Sequence, residues 1–223
     1  MNSEKRESVS KVVKSSEKTL DIPYELGSGW NYSWARDPKS ILFMLARYKF
    51  ASKLVRPGDE LLEVGCGEGL GSAMLAASSK SYVGVEHDPD IFDGLNRLKN
   101  QRRDFINHDI LSGPIVGRKF DAAVSLDVIE HIFPEFQDVF VKNIVGSLNQ
   151  SGSLVIIGSP SLESQVYASE VSRAGHVGCR SAADLERLVA PYSLRTFSFS
   201  MNDEVVHTGF SKMSHYNFVV AVM

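Results

Sequence analysis

The chain has 223 residues, of which 43% are hydrophobic and 23% charged, and its formal net charge is -3. This balance, together with only two cysteines and no apolar run of signal-peptide or membrane-spanning length, predicts a single-domain cytoplasmic protein and excludes a disordered or fibrous chain. The negative net charge provides no positive field for a phosphate backbone or an anionic membrane, so we expect neither nucleic acid nor membrane as a partner.

The N-terminal region divides into a polar tail, an aromatic segment and a helix. Residues 1–18 carry too little apolar content to pack and predict a mobile tail, whereas residues 19–223 predict one domain. Residues 21–38 are predicted as a loop. From Pro38 the apolar positions recur at helical spacing, and a proline suits a first helical turn. Residues 19–57 are therefore interpreted as an N-terminal lid and helix.

Beyond residue 57, short apolar runs alternate with helical stretches, which is typical of βαβ units and a parallel sheet. The predicted strands are 60–64, 81–86, 104–108, 120–126 and 153–158, and the predicted helices are 71–79, 89–99, 134–148 and 182–189. Two closing β-rich runs, 194–201 and 215–222, are joined too briefly for a helical crossover and must pair antiparallel. The sequence thus predicts an α/β fold with a Rossmann-like, doubly wound, seven-stranded sheet and a C-terminal antiparallel hairpin.

The first predicted strand leads into a glycine-rich turn with the sequence EVGCGEG at residues 63–69. Glycines let the backbone turn sharply and approach a ligand closely. A dinucleotide fingerprint requires its third glycine at position 70, where this chain has leucine. An NAD-dependent oxidoreductase remains an alternative, because Glu86 at the next strand end suits the ribose of any nucleoside.

Three further strand ends carry polar motifs: VGVEH at 83–87, NHDIL at 107–111 and FDAAVSLDVIEHI at 120–132. In order and spacing, these segments and the glycine turn resemble the motifs of class I S-adenosyl-L-methionine (SAM)-dependent methyltransferases. The last motif is similar to the form found in ubiquinone-biosynthesis O-methyltransferases and in sugar and natural-product methyltransferases. The resemblance covers residues 60–158, and more weakly the closing hairpin.

The resemblance implies SAM as the cofactor and S-adenosyl-L-homocysteine (SAH) as the product. It also implies a role for each matching residue. The implied cofactor contacts are Glu63, Gly65 and Gly67 for the methionine portion, Glu86 for the ribose, His87, Asp109 and Ile110 for the adenine, and the backbone of Leu126 for the methionine amino group.

The expected reaction is methyl transfer to a small-molecule acceptor, an in-line displacement that requires close alignment of the two reactants. A hydroxyl acceptor must also lose a proton, and the candidate bases are His131 after the fourth strand and His176 in the 159–180 insert over the acceptor site. These histidines favour O-methylation of a sugar, surface-glycan or natural-product intermediate. N-methylation of a small amine and a non-catalytic SAM-binding protein stay open, as does the oligomeric state, a homodimer included.

Candidate acceptor contacts also lie outside the motifs. The aromatic segment contributes Trp30, Tyr32, Trp34 and Arg36. It either folds over the site as a lid or fastens the N-terminal helix to the sheet. His207, in the link between the closing strands, is a further candidate contact. The acidic residues 203–204 beside it could be imagined as metal ligands, but the spacing has no ligand signature and no metal is predicted.

Overall fold

The computed structural model describes residues 27–149 and 152–223, and the tail predicted at residues 1–18 lies outside them. The helices are α1 (Ser28–Arg36), α2 (Pro38–Leu54), α3 (Ser72–Ser78), α4 (Pro89–Leu95), α5 (Gln137–Gly146), α6 (Glu170–Gly175) and α7 (Ala182–Val189). The strands are β1 (Glu60–Val64), β2 (Ser81–Glu86), β3 (Arg103–Asn107), β4 (Ala122–Leu126), β5 (Leu154–Pro160), β6 (Arg195–Asn202), β7 (Val205–His207) and β8 (Tyr216–Val222). Among the described residues, no helix combines the length and hydropathy needed to cross a bilayer.

All strands join one sheet in the order β3-β2-β1-β4-β5-β8-β6-β7. The first five strands in the chain pair parallel, and β8 inserts antiparallel between β5 and β6. The strand order reverses between β1 and β4. Strands β2 and β3 lie on one side of β1, and the chain then returns to place β4 and β5 on the other side. Ligands of open α/β sheets bind in the crevice at the carboxyl ends of the strands at such a reversal.

Helices cover both faces of the sheet. Tyr48 of α2 and Leu75 of α3 belong to the apolar cluster on one face, and Phe140 of α5 and Leu185 of α7 belong to the cluster on the other. Because both faces are covered, β4 is buried along its whole length and its sequence is a nearly continuous apolar run. The predicted α/β class, the doubly wound sheet and the antiparallel pairing of the closing strands are confirmed.

The structure corrects the sequence prediction at three places. The sheet has eight strands rather than seven, because the link between the closing strands forms the edge strand β7, which is too short to show an alternating pattern. Residues 28–36 form helix α1 instead of a loop. This helix has no buried side chain. The insert contains a 3₁₀ turn, Glu163–Tyr167, followed by α6.

Close packing beneath the glycine turn makes a first prediction. A Cβ atom on Gly71 would lie 1.9 Å from Cε1 of the Tyr48 ring, in a backbone conformation that any residue adopts. Gly71→Ala should therefore destabilise the protein by about 1–3 kcal/mol through overpacking alone. Gly58→Ala is the matched control, because no atom lies within 4 Å of its added Cβ. Urea unfolding should show a clear loss for the first variant only. Equal stability of the two variants would contradict this packing.

Candidate active site

The glycine turn is shaped by backbone conformations that favour glycine. Gly65 has a φ of +75°, and an added Cβ there would lie 2.3 Å from a methyl group of Val128. The amides of Gly65 and Cys66 both donate to the carbonyl of Val85, at 2.8 and 3.1 Å. The turn is thereby joined to the end of β2, and its close approach to Val128 brings it against the segment that follows β4.

Glu86, at the end of β2, is buried, and its carboxylate is hydrogen-bonded to the glycine turn. One carboxylate oxygen accepts a hydrogen bond from the Gly67 amide at 3.0 Å. The other accepts from the amides of His87 and Asp88, at 2.9 and 3.0 Å. Because a carboxylate oxygen can accept two hydrogen bonds, the oxygen that binds the Gly67 amide keeps acceptor capacity for a ligand hydroxyl.

A cavity of about 670 Å³, here called the glycine-loop cavity, opens above these groups. Six of the predicted cofactor contacts line it: Gly65, Gly67, Glu86, His87, Asp109 and Ile110. Apolar side chains, including Ile91 and Val128, form much of the remaining wall. An apolar cavity of this size with a few convergent polar groups is typical of a cofactor site. Leu126 is buried under the cavity and is not part of its lining.

Glu63 lies under the glycine turn and not in the cavity lining. Its carboxylate is 1% exposed and accepts hydrogen bonds from the hydroxyls of Tyr48, at 2.8 Å, and Tyr82. Burial raises the pKa of Glu63 to about 7, against the opposing effect of the two tyrosine hydrogen bonds. The described contacts of Glu63 thus join α2, β1 and β2, and its contact with the methionine portion of the cofactor stays a prediction.

A second, more polar cavity of about 510 Å³ adjoins the first and is here called the histidine cavity. Its charged and titratable lining consists of Arg47, Asp127, Glu130, His131, His176 and His215. Asp127 and His131 line both cavities. The two spaces therefore meet at the carboxyl end of β4, and the structure brings both predicted base candidates, His131 and His176, into the second one.

The amide of Gln137 attaches the insert to the turn that follows β4. The side-chain nitrogen of this buried residue shares its two N–H groups among the carbonyl oxygens of Ile129 (2.8 Å), Ile132 (3.0 Å) and Gly178 (2.8 Å). The Gly178 amide in turn donates to the Glu130 carbonyl at 2.8 Å. These hydrogen bonds hold the insert against the turn and set the distance between the two histidines.

The His131 and His176 rings pack edge to face with centroids 5.1 Å apart. Nδ1 of His131 lies 2.9 Å from the Gly175 carbonyl, and Nδ1 of His176 lies 2.8 Å from the Gln165 side-chain oxygen. Since both partners are acceptors, each Nδ1 carries the proton and each Nε2 is left with a lone pair. Burial, followed by the charge of His131, lowers the pKa of His176, which favours its neutral form.

Two acids with different environments complete the histidine cavity. Asp127, at a φ of +57°, accepts from Arg47 Nη1 at 2.5 Å, and the Arg47 guanidinium lies 4.1 Å above the centre of the Tyr216 ring. Glu130 is 1% exposed, and neither of its carboxylate oxygens has a hydrogen-bond partner among the described residues. The neighbouring Ser159 hydroxyl donates to the Pro160 carbonyl instead. Burial and the charge of Asp127 raise the pKa of Glu130 well above its ordinary range.

The predicted acceptor contacts outside the motifs do not line either cavity: Trp30, Tyr32, Trp34, Arg36 and His207. The first four belong to α1. In this helix the backbone amide of Gly29 donates to both carboxylate oxygens of Glu68, each at 3.1 Å. Nδ1 of His207 accepts from the Gly209 amide at 3.2 Å. Arg47 and Gln165, by contrast, line the histidine cavity, and no sequence motif singled them out.

Comparison with known proteins agrees with this geometry. A family model described as a methyltransferase domain matches residues 62–156. The fatty-acid O-methyltransferase of Mycolicibacterium smegmatis (strain ATCC 700084 / mc(2)155) is 30% identical over 101 residues, which cover 43% of this chain and 35% of that protein. The chain spans about a third of the length of the curated relatives that it matches.

Solved structures share the fold. A chain of the complex between the Haloferax volcanii Trm112 methyltransferase activator and a methyltransferase has a TM-score of 0.66 at 13% identity, over 89% of this chain and 99% of that chain. The N-methyltransferase NodS from Bradyrhizobium japonicum WM9, in complex with SAH, has a TM-score of 0.58 at 18% identity, over 88% of this chain and 92% of that chain.

The fold and the glycine-loop cavity have the arrangement of a ligand-binding α/β domain. Residues 62–156 match the methyltransferase domain family, and the curated relatives include SAM-dependent methyltransferases, in agreement with the resemblance that the motifs predict.

The buried Glu63 carboxyl makes stability depend on pH. Its pKa of about 7 in the folded protein lies above its ordinary value of 4.5, so its contribution to stability is full below the ordinary pKa and is lost as pH rises through 7. Between about pH 5.5 and about pH 8, the wild type should lose about 2 kcal/mol of unfolding free energy relative to Glu63→Gln. Denaturant unfolding of both proteins at the two pH values measures this difference, and parallel pH profiles would contradict the assignment.

Proposed function

We propose that this protein transfers the methyl group of SAM to a hydroxyl oxygen of a small polar acceptor bound in the histidine cavity. The observation that carries this proposal is the junction of the two cavities at Asp127 and His131. A methyl donor in the glycine-loop cavity and an acceptor in the histidine cavity would meet there. In-line displacement depends chiefly on such alignment.

The cofactor roles assigned from the motifs agree with what lines the glycine-loop cavity. Glu86 has acceptor capacity for the ribose hydroxyls, and Asp109, which also lines the cavity, is the proposed partner of the adenine amino group. The glycine turn admits the methionine portion close to the backbone. Bound SAM supplies an electrophilic methyl carbon on a sulfonium, and the walls of the cavity exclude water from it.

The acceptor must lose a proton as its oxygen becomes methylated. In the proposed mechanism, the acceptor oxygen forms a bond to the methyl carbon, the electron pair of the carbon–sulfur bond stays on sulfur to give SAH, and Nε2 of His131 accepts the hydroxyl proton. The hydrogen bond of Nδ1 to the Gly175 carbonyl supports this role, because it leaves Nε2 as the basic atom.

The polar lining of the histidine cavity supports an acceptor with several hydroxyl or acidic groups, such as a sugar, surface-glycan or natural-product intermediate. The fatty-acid O-methyltransferase among the relatives is an O-methyltransferase, whereas the NodS structure is that of an N-methyltransferase. N-methylation of a small amine is therefore the second candidate. The imidazoles, whose Nε2 atoms are free to accept a proton, favour a hydroxyl acceptor over an amine. An uncharged amine can attack the methyl carbon without a base.

Calorimetric titration with SAM, SAH and NADH tests the cofactor first. The wild type should bind SAM and SAH but not NADH, and Glu86→Gln should weaken both sulfur ligands by about 10–100-fold, because hydrogen bonds to a charged group contribute about 1.5–3 kcal/mol. Glu60→Gln is the control. Glu60 lies at the amino end of β1, away from the cavity at the carboxyl ends of the strands, and it pairs with Lys80. Binding of NADH, or of no ligand by a folded wild type, would refute the proposed function.

Transfer of labelled methyl from SAM to a panel of sugars, hydroxy acids and amines tests the acceptor class. We expect incorporation into hydroxyl acceptors. His131→Ala should then lower kcat by about 10²–10⁴-fold while SAM affinity stays near that of the wild type. Incorporation into amines alone, or a fully active His131→Ala enzyme, would favour N-methylation.

A further inference from the structure

We propose that Glu130, His131 and His176 form a binding site for a divalent transition-metal ion, of which Zn²⁺ and Mn²⁺ are the natural representatives. The ion site is inferred from the geometry of the three side chains alone. Only its catalytic consequence rests on the proposed function.

The three side chains present one ligand atom each, and these atoms all lie within 4.8 Å of one another. An ion with ligands at about 2.1 Å holds two ligand atoms at most about 4.2 Å apart. The set therefore closes on an ion by movements of about half an ångström, well within the rotation of a side chain. Among the residues that the structure describes, no other group of three histidine, cysteine or acidic side chains has its ligand atoms this close together.

The hydrogen bonds of the two imidazoles are those typical of metal-binding histidines. A histidine ligand usually donates its other ring N–H to a carbonyl or carboxylate, which fixes the tautomer and the ring orientation. Here Nδ1 of His131 donates to the Gly175 carbonyl and Nδ1 of His176 donates to the Gln165 side-chain oxygen. Both Nε2 lone pairs are thereby left available for a metal ligand bond.

Glu130 supplies an independent observation. A carboxylate buried without any partner is costly, and buried polar atoms in proteins are nearly always paired. Glu130 is 1% exposed with both oxygens unpartnered, and it lines the histidine cavity beside the two rings. A divalent cation would provide the missing partner. The nearby Arg47 does not oppose this, since Asp127 pairs with its guanidinium.

The donor set indicates which ions fit. Two imidazoles and one carboxylate suit zinc and other first-row divalent ions, whereas magnesium and calcium prefer oxygen ligands. Three protein ligands also leave at least one coordination position open, as in catalytic rather than structural sites. The three side chains line a cavity that adjoins the glycine-loop cavity.

A bound ion would change the chemistry proposed for the imidazoles. It would bind the acceptor oxygen directly and lower the pKa of its hydroxyl. The proton would then pass to water, the oxygen would form the bond to the methyl carbon, and the electron pair of the carbon–sulfur bond would remain on sulfur. His131 would act as a ligand rather than as the proton acceptor.

The first measurement is the metal content and metal affinity of the purified chain after removal of ions with a chelator. The wild type should bind one Zn²⁺ or Mn²⁺ per chain, and Ca²⁺ should not compete. His176→Ala and Glu130→Gln should each weaken Mn²⁺ binding at least 100-fold. Gln165→Ala, which removes the partner of His176 and a hydrogen bond to the Ser161 carbonyl, should weaken it about 10–100-fold. His207→Ala is the control imidazole deletion and should bind one ion like the wild type.

Substitution with Co²⁺ gives a second readout that does not depend on activity. A site with two imidazoles and one carboxylate should give visible absorption, and this signal should be lost in His176→Ala while SAM binding and unfolding behaviour are retained. Absence of stoichiometric binding to the wild type, or unchanged affinity in His176→Ala and Glu130→Gln, would overturn the metal site.

Failure of the metal site and failure of the proposed function give different results. If a chelator leaves methyl transfer unchanged and no ion binds, the metal site is refuted and the proposed function stands. If one ion binds but neither SAM binding nor methyl transfer occurs, the function is refuted and the metal site stands.

Discussion

The reversal of strand order between β1 and β4 is the constraint on which the site depends. It leaves the ends of these two neighbouring strands uncovered by a crossover helix, so the glycine turn and the segment after β4 face one another across a crevice. The approach of Val128 to Gly65 shows how narrow that crevice is, since no side chain fits at position 65. One cavity extends from the crevice toward β2 and β3, and the other extends toward β5 and the insert.

Local patterns in the sequence were sufficient to predict the sheet and much of the polar lining of the glycine-loop cavity. Strands β1 and β2 and helix α7 begin and end where their apolar patterns predict. Lining residues such as Gly65, Glu86 and Asp109 could be identified because each lies at or just after the end of a strand, and parallel strands bring their carboxyl ends to one edge. For residues at the carboxyl ends of parallel strands, the sequence position is enough to place them at the binding edge once the strand order is known.

The histidine cavity could be predicted only in part, because its contacts depend on packing between distant segments. Arg47 lies 80 residues from its partner Asp127, on a helix whose apolar spacing gives no sign of that contact. The approach of His176 to His131 depends on where the insert lies, which no periodicity encodes. For Glu63, which lies within a recognised motif, no pattern in the sequence indicated its hydrogen bonds to two core tyrosines, and its predicted cofactor contact stays a prediction.

The attachment of the insert has a consequence for how such a protein can diverge. The three acceptors of the Gln137 amide are backbone carbonyls, which every residue type possesses. The attachment further needs a residue without a side chain at Gly178, where a Cβ would lie 2.1 Å from the Ile132 carbonyl oxygen. The attachment also uses the Arg180 side chain, which donates to the Gln137 side-chain oxygen, and the buried Ser161, whose hydroxyl donates to the Ser214 carbonyl. Exposed insert positions outside these contacts are free to change without loosening the insert from β4. The shape of the histidine cavity can thus change while the glycine-loop cavity is left intact.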